Sequence, residues 1–347
     1  MCSPASGGGH RFPNPYERGL RLLRERFDLE PVAFPTARRS SEWLYDHPEA
    51  RARDIERAFR DPDIGAVFAT IGGNDQVRIL KHLDGDVLAA DPTRFFGSSD
   101  NTHLHSLLWE RGLVSYYGGD VLTTLGTAVD RFPEASEWLS RALFEPSFGD
   151  LSPVAEWTDG DPDWFDADYH ETELDCEAGR WAWRGGENRA DGRLWGGCLE
   201  VLDTVLAADR TCPSVETLDG AVLFVETSEE LPSEGEVRRM VLALGERGLL
   251  GAVDAVLVGR PKARSPNEDP GPEPAVERAG ANDVSDARAA YRETQYDLVT
   301  SVVAEYAPEA PVVCGVDVGH TYPSAPLPVG GRCVVDPAAR SVGFPSD

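Results

Sequence analysis

Short apolar runs alternate with segments of helical periodicity along much of this chain, and this alternation limits the possible folds more than any other feature. Residues 48–60 have helical spacing, residues 65–71 form an apolar run that ends at Gly72-Gly73, and residues 74–83 again have helical spacing. Strands joined by helices pair in parallel and are covered on both faces. We therefore predict an α/β protein that opens with a doubly wound parallel sheet, with ligands at the carboxyl ends of its strands.

The same alternation returns in the second half of the chain. After a helix from about residue 194 to residue 208, apolar runs alternate with helical segments, which predicts strands at 221–225, 255–259 and 312–316 and helices at 234–247 and 287–305. This half is therefore also predicted to be an α/β unit.

A chain of 347 residues exceeds the usual size of a single core, so two domains are expected. We place an N-terminal domain at residues 1–145 and a C-terminal domain at residues 191–347. Residues 146–190 are rich in Asp, Gly, Pro and Trp and are interpreted as the connection between them. Residues 263–286 have little apolar content and are predicted to form a loop.

The start of the chain departs from the alternating pattern. Residues 1–9 have loop composition, although doubly wound domains usually open with a strand, so either the first strand is missing or the protein begins upstream. A helix is predicted to follow Asn14 as its N-cap, with Pro15 in its first position and Glu17 in the capping-box position. Residues 30–35 are a strand candidate.

The charge of the chain is strongly acidic. There are 60 acidic and 33 basic residues, only two of which are lysines (Lys81 and Lys262), and the formal net charge is −27. Self-repulsion on this scale destabilises a compact state at low salt, so the composition favours adaptation to a salt-rich cytoplasm. The same charge argues against binding to a nucleic-acid backbone.

Other bulk features narrow the class of protein. No apolar run approaches the roughly 18 residues of a membrane span, and no signal peptide precedes the first helix, which predicts a cytoplasmic protein without membrane contact. The six cysteines contain no Cys-x-x-Cys pair, which argues against a structural zinc site.

The clearest candidate for catalysis is Ser99. The apolar pair Phe95-Phe96 indicates the end of a strand, Gly97 allows a sharp turn, and a helix follows. A serine between a strand and a helix N-terminus projects its hydroxyl towards free N–H groups that can stabilise a negative charge, which suits a nucleophile. The alternative is that Ser98, Ser99 and Asp100 only compete to cap the helix.

Two further residues follow strands of the second domain. Glu226 comes directly after the strand at 221–225, and His320 lies in a turn after the strand at 312–316. The carboxylate could orient the imidazole, which would then accept the proton of Ser99, in the manner of a Ser-Glu-His triad. His103 and His105 are closer to Ser99 in sequence, but they lie on the following helix, which carries their side chains away from the hydroxyl.

Five short segments, taken in order, give a more specific signal: Gly72-Gly73, Gly97-Ser98-Ser99-Asp100, Leu194-Trp195-Gly196-Gly197-Cys198-Leu199, Leu223-Phe224-Val225-Glu226 and Gly319-His320-Thr321. With these segments the chain resembles the LD-carboxypeptidases. This family of serine peptidases includes murein tetrapeptide carboxypeptidases and microcin C immunity proteins. The resemblance covers nearly the whole chain.

The resemblance implies a fold and a set of roles. It implies an N-terminal doubly wound domain and a C-terminal α/β domain with a small barrel-like sheet, with the active site between them. Ser99 corresponds to the nucleophile, Glu226 to the triad acid and His320 to the general base. The backbone N–H of Asp100, with that of Gly72 or Gly73, would form the oxyanion hole. The family needs no metal or organic cofactor, and its members are commonly homodimers.

The resemblance also includes departures and leaves the substrate open. The family usually has an aromatic residue in place of Ser98 and an asparagine in place of Cys198. The resemblance favours a microcin-C-like aminoacyl-nucleotide as the substrate, because in that branch of the family an aromatic residue stacks on the base, and Trp181, Trp183 and Trp195 are candidates for this role. Tryptophans in such a stretch also commonly pack a crossover connection against a domain. The alternative is a murein tetrapeptide that loses its terminal D-alanine.

The sequence is also compatible with other classes of function. The chain could be a family member that binds an aminoacyl-nucleotide or a peptide without turning it over, or a general acyl hydrolase such as an esterase. Labelling by a fluorophosphonate distinguishes an enzyme from a binding protein, because only an activated serine reacts.

Overall fold

A computed structural model describes residues 1–264 and 284–346 of the chain, which form one sheet of four strands, one of eight strands and one of two strands. The strands of the described residues are β1 (Ala66–Phe68), β2 (Arg94–Gly97), β3 (Ser115–Tyr117), β4 (Gly149–Leu151), β5 (Glu156–Trp157), β6 (Glu177–Ala178), β7 (Ala182–Gly185), β8 (Ala190–Cys198), β9 (Ala221–Glu226), β10 (Val253–Gly259), β11 (Pro311–Val316), β12 (Leu327–Val329), β13 (Arg332–Asp336) and β14 (Ser341–Phe344).

Helices connect these strands. The α-helices of the described residues are α1 (Gly8–Arg11), α2 (Pro13–Phe27), α3 (Ser41–Asp46), α4 (Pro48–Arg60), α5 (Gly85–Ala90), α6 (Thr102–Glu110), α7 (Pro133–Phe144), α8 (Leu199–Ala208), α9 (Val215–Leu218), α10 (Glu234–Glu246) and α11 (Val284–Tyr306). None of the described helices has the length and apolar content needed to cross a bilayer.

The four-stranded sheet, called the smaller sheet, has the strand order β1-β2-β3-β12. Strands β1, β2 and β3 are parallel, as the sequence predicts for the N-terminal domain, and β12 adds to β3 in the antiparallel direction. The loop-like start of the chain lies beside β1, where Cys2 forms a single parallel bridge with Ala69. A single β-bridge thus stands where doubly wound domains usually have their first strand.

The larger sheet has the strand order β4-β14-β13-β8-β9-β10-β11-β7. Its centre is parallel from β8 to β11, and the strands on both sides of this centre are antiparallel. In the described residues the pairing runs from β4 to β7 without closing into a barrel. The fold is therefore mixed α/β with two domains.

Residues 146–190 do more than connect the two domains. Strands β4 and β7, which lie in this stretch, form the two edges of the larger sheet. Strand β12 follows the last parallel strand of the larger sheet in the chain and completes the smaller sheet. Strand β12 therefore ties the C-terminal domain to the N-terminal sheet.

Several local predictions need correction. Residues 30–35 form no strand and lead into a 3₁₀ helix at Pro35–Arg38, and the helix expected at 74–83 is a 3₁₀ helix, Gln76–His82. The helix expected at 194 begins only at Leu199, since β8 extends to Cys198. Most of the loop predicted at 263–286 lies outside the described residues.

The helix expected to begin at Pro15, with Asn14 as its cap, instead begins at Pro13, because proline fits the first turn of a helix without needing its missing N–H. Asn14 therefore lies inside the helix and caps nothing. Its side-chain amide instead donates to the backbone carbonyls of the segment from Trp164 to Asp166.

Candidate active site

Ser99 lies on a tight turn between a strand and a helix. Strand β2 ends at Gly97, the 3₁₀ helix Ser99–Asn101 follows, and α6 begins at Thr102. Ser99 has φ = +59°, a left-handed conformation that is uncommon for residues other than glycine and that marks strained turns at functional sites. This is the strand–turn–helix geometry expected of a serine nucleophile.

The loop that carries Gly72 passes directly over Ser99. A Cβ atom at position 72 would lie 2.7 Å from Ser99 Cβ and 3.1 Å from Ser99 Oγ, so only glycine allows this approach. The carbonyl of Gly72 is held from the other side, where it accepts hydrogen bonds from the backbone N–H and the hydroxyl of Ser6.

Free backbone donors lie in the segments that adjoin Ser99. The N–H groups of Gly72, Gly73 and Asp100 donate to no other group among the described residues. The side chain of Asp100 is buried and accepts hydrogen bonds from the N–H groups of Asp75 and Gln76, each at 2.9 Å. Burial raises the pKa of Asp100 to about 6, against the effect of these two donors. The side chain of Asp100 thus fixes the turn, while the backbone N–H of Asp100 stays available to a ligand.

Glu226 and His320 meet at the carboxyl end of the larger sheet. Glu226 is the last residue of β9, and its Oε2 shares a hydrogen bond of 2.7 Å with His320 Nδ1. Gly319 makes this approach possible, because it has φ = +109° and a Cβ atom there would lie 2.5 Å from Glu226 Oε2. The structure therefore brings together the glutamate and the histidine that the sequence singles out.

Tyr117 links these two residues to the serine turn. Its hydroxyl accepts a hydrogen bond from the N–H of Ser99 at 2.9 Å and donates to Glu226 Oε1 at 2.5 Å. Tyr117 is the last residue of β3 in the N-terminal sheet, whereas Glu226 belongs to the C-terminal sheet. One fully buried hydroxyl thus joins the two halves of the site.

The other ring nitrogen of His320 is occupied by a second carboxylate. Nε2 lies 3.1 Å from Glu229 Oε2, and in the described residues Ser99 Oγ makes no hydrogen bond with His320. Burial alone would lower the pKa of His320, but the charges of Glu226 and Glu229 outweigh it and raise that pKa to about 10. In this arrangement the imidazole is a cation held between two carboxylates at neutral pH.

His103 and His105 are buried on α6, away from the reacting groups. His105 bonds to Ser115 Oγ through Nδ1 at 2.7 Å and to the carbonyl of Gly97 through Nε2 at 2.8 Å. Burial lowers the pKa of both histidines to about 4. They are neutral, and the bonds of His105 are those of a structural residue.

The three candidate tryptophans are in different surroundings. Trp195 is only 1% exposed because it lies on β8, in the middle of the larger sheet, so its proposed contact with a substrate does not fit this structure. Trp181 is half-buried, and its Nε1 donates to Asp317 Oδ2 at 2.9 Å. Trp183 is half-buried on the edge strand β7, opposite Val313.

The Gly196-Gly197 pair has a packing role beside the serine turn. A Cβ atom at position 197 would lie 2.4 Å from Thr102 Oγ1. That hydroxyl donates to the carbonyl of Ser99 at 2.7 Å and accepts a hydrogen bond from the N–H of Cys198 at 3.1 Å. The end of β8 thus contacts the turn directly. In the described residues no group of His, Cys, Asp and Glu side chains is arranged to hold a metal ion.

Comparison with known proteins agrees with this fold. Residues 1–118 match the LD-carboxypeptidase N-terminal domain, and residues 191–335 match the LD-carboxypeptidase C-terminal domain. The chain belongs to the LD-carboxypeptidase family, as its motifs predict.

Individual relatives are similar over nearly their full length. The microcin C7 self-immunity protein MccF of Escherichia coli is 24% identical, over 93% of this chain and 86% of that protein. A probable murein peptide carboxypeptidase of Bacillus subtilis is 24% identical, over 95% of this chain and 87% of that protein. The crystal structure of an MccF-like protein from Streptococcus pneumoniae in complex with AMP has a TM-score of 0.82 and 24% identity, over 99% of this chain and 97% of that one.

The sequence did not point to two residues of this site, Tyr117 and Glu229. Tyr117 is the last residue of β3, which pairs with the strand that leads to Ser99. A polar residue at the end of a neighbouring strand could have indicated its place in the site. Glu229 lies three residues after Glu226 in an acidic stretch, where nothing in the local pattern distinguishes it from a solvated surface residue.

Proposed function

We propose that this chain is a serine hydrolase in which Ser99 is the nucleophile, His320 the general base and Glu226 the residue that orients it. The observation that carries the proposal is the hydrogen bond between Glu226 and His320, linked through Tyr117 to a serine on a left-handed turn. The fluorophosphonate-reactive serines of hydrolases have this kind of support from a base and an acid.

The chemistry follows from these positions. Ser99 Oγ attacks the carbonyl carbon of the substrate while its proton passes to His320 Nε2, and the N–H groups of Gly72, Gly73 and Asp100 stabilise the oxyanion. His320 then gives this proton to the leaving group as the bond to the carbonyl carbon breaks. Water, deprotonated by the same nitrogen, hydrolyses the acyl-enzyme and restores Ser99. Glu226 remains ionised and stabilises the imidazolium.

For the substrate we propose an aminoacyl-nucleotide with an amide-like bond, of the kind that microcin C yields. Similarity to MccF over most of the chain and to a structure that contains AMP supports this choice. Trp181 and Trp183, both half-buried, are the residues proposed to stack the base. A murein tetrapeptide is the second candidate, supported by the similarity to the Bacillus subtilis protein.

One observation favours a different class of function. His320 Nε2 is paired with Glu229 rather than with Ser99, as in a protein that binds its ligand without cleaving it. The variant Ser99→Ala separates the two cases. In an enzyme it abolishes turnover and keeps binding, whereas in a binding protein it changes neither the bound ligand nor its affinity.

The experiment is mass-spectrometric product analysis in high KCl, with an aspartyl sulfamoyl-adenylate and an L,D-tetrapeptide offered side by side. Release of free aspartate by the wild type, but not by Ser99→Ala, is the expected result. Release of D-alanine instead would make the tetrapeptide the substrate. If neither product forms, both proposed substrates are wrong, and labelling of Ser99 by a fluorophosphonate then decides whether the protein is a hydrolase.

A further inference from the structure

We propose that Glu229 is a positioning residue that holds His320 in a resting arrangement, and that a free ammonium group next to the scissile carbonyl of the substrate releases it. The inference rests on the proposed hydrolase function and specifies the substrate class of the same site. It predicts that the enzyme acts on aminoacyl compounds whose α-amino group is free.

Glu229 and Ser99 compete for one nitrogen of His320. His320 Nδ1 is committed to Glu226, so Nε2 is the nitrogen left to accept the proton of Ser99. In the structure Nε2 is 3.1 Å from Glu229 Oε2 instead. A protonated Nε2 that is paired with a carboxylate cannot act as a base, and Glu229 must therefore move before Ser99 can react.

Glu229 can move. It follows β9 on a segment outside any helix or strand, and its side chain is 46% exposed. In the described residues no side chain other than His320 forms an ion pair with its carboxylate. The His320 side of this ion pair is 15% exposed and the Glu229 side is 46% exposed, so a second cation can reach the carboxylate from its open side.

The neighbouring carboxylates are already committed. Asp161 is paired with the buried Lys262. Glu200 accepts hydrogen bonds from both the N–H and the hydroxyl of Ser228, at 3.0 Å and 2.7 Å. Glu226 is held by Tyr117 and His320. Among the acidic groups around His320, Glu229 is the one that can change partner without leaving a buried charge uncompensated.

The substrate supplies the group that replaces His320. The carbonyl carbon that Ser99 attacks is held close to Nε2, so the substituent on the adjacent carbon lies within reach of Glu229. In an aminoacyl-nucleotide that substituent is a free ammonium, whereas in a peptide the same nitrogen is acylated and neutral. When the ammonium pairs with Glu229, the imidazolium loses its Nε2 proton to solvent, and Nε2 becomes free to accept the proton of Ser99.

The test compares alanyl sulfamoyl adenosine with its N-acetyl derivative, in which a neutral acetamide replaces the charged α-ammonium group. We expect wild-type kcat/KM to be about 10- to 100-fold higher for the free amine, in the range of one charged hydrogen bond. Glu229→Gln should remove most of this preference, chiefly by raising activity on the acetylated compound. The matched control is Glu230→Gln, which removes the charge of an exposed neighbour and should keep the preference.

A second readout separates positioning from general structural damage. His320 is faced by the carboxylates of Glu226 on β9, Glu229 on the following segment and Glu200 on α8. Glu229→Gln removes one of these negative charges. This variant should therefore reach half-maximal fluorophosphonate labelling of Ser99 at a lower pH than both the wild type and Glu230→Gln. An increase in that pH, or no change, would overturn the inference.

The outcomes also separate this inference from the proposed function. Ser99-dependent hydrolysis with equal rates for the free and acetylated amines would leave the hydrolase standing and refute the role of Glu229. The same holds if Glu229→Gln keeps the wild-type preference. Absence of both hydrolysis and labelling in the wild type and in Glu229→Gln would refute the two proposals together.

Discussion

The hydroxyl of Tyr117 occupies the point where the serine turn and the acid–base pair meet. It is fully buried, accepts from Ser99 N and donates to Glu226 Oε1, so both groups depend on it for a partner. A buried donor or acceptor that loses its partner costs about 1–3 kcal/mol.

Tyr117→Phe should therefore lower kcat by about 10- to 100-fold while the protein stays folded, because Glu226 and the turn lose their common anchor at a cost in the range of 1–3 kcal/mol. Steady-state kinetics with circular dichroism measure this. Tyr116→Phe, which alters a neighbouring tyrosine on the same strand, is the control. Wild-type kcat in Tyr117→Phe would show that this hydroxyl does not support the reaction.

Residues at strand ends could be singled out from the sequence, and residues whose only signal is a partner distant in the chain could not. Ser99, Glu226 and His320 each follow an apolar run, and parallel strands direct such residues to one edge of a sheet. Tyr117 and Glu229 acquire their roles only from partners in another part of the chain. The burial of Trp195 escaped prediction for the same reason, since only the sheet order places β8 in the centre.

The contact between β8 and the start of α6 determines how the C-terminal sheet meets the serine turn. Gly197 has φ = +153° and packs against the side chain of Thr102, which in turn bonds to the carbonyl of Ser99. A larger residue at position 197 would displace Thr102 and, with it, the turn that carries Ser99.

Gly197→Ala should destabilise the protein by about 1–3 kcal/mol, the usual cost of overpacking, and should reduce turnover because Ser99 is displaced. Urea unfolding and kinetics measure the two effects. Gly235→Ala is the control, since position 235 is exposed in the first turn of α10 and alanine favours a helix. Equal stability of Gly197→Ala and wild type would contradict the packing argument.

Elements with strong local signals were predictable, and those created by pairing were not. Helix α4 matches its predicted bounds, and the all-buried strand β9 differs by one residue. Strands β4 and β7 were hidden in a stretch that has the composition of a connection. The strand expected at residues 30–35 lacks a neighbour to pair with, and a strand gains its stability from pairing.

The whole molecule has a net charge of −27, and its stability should depend on salt. The screening length falls from about 10 Å at 0.1 M salt to about 3 Å at 1 M, which weakens repulsion between like charges. We expect the melting temperature to rise by about 5 °C or more between roughly 0.1 M and 2 M KCl. An uncharged osmolyte at matched osmolality is the control, and an unchanged melting temperature would contradict adaptation to high salt.

In the proposed mechanism the two domains supply different parts of the catalytic machinery. The N-terminal sheet carries Ser99 and the free N–H groups, and the C-terminal sheet carries Glu226 and His320. Strand β12 of the C-terminal domain completes the N-terminal sheet and so ties the two domains together. The central claim is that this arrangement activates a single serine.

The most direct test is labelling of the purified protein with a fluorophosphonate in high KCl, followed by intact-mass and peptide mass spectrometry. We expect one adduct, located at Ser99, that is absent in Ser99→Ala and forms much more slowly in His320→Asn. No adduct on the folded wild type, or an adduct that persists in Ser99→Ala, would contradict the account.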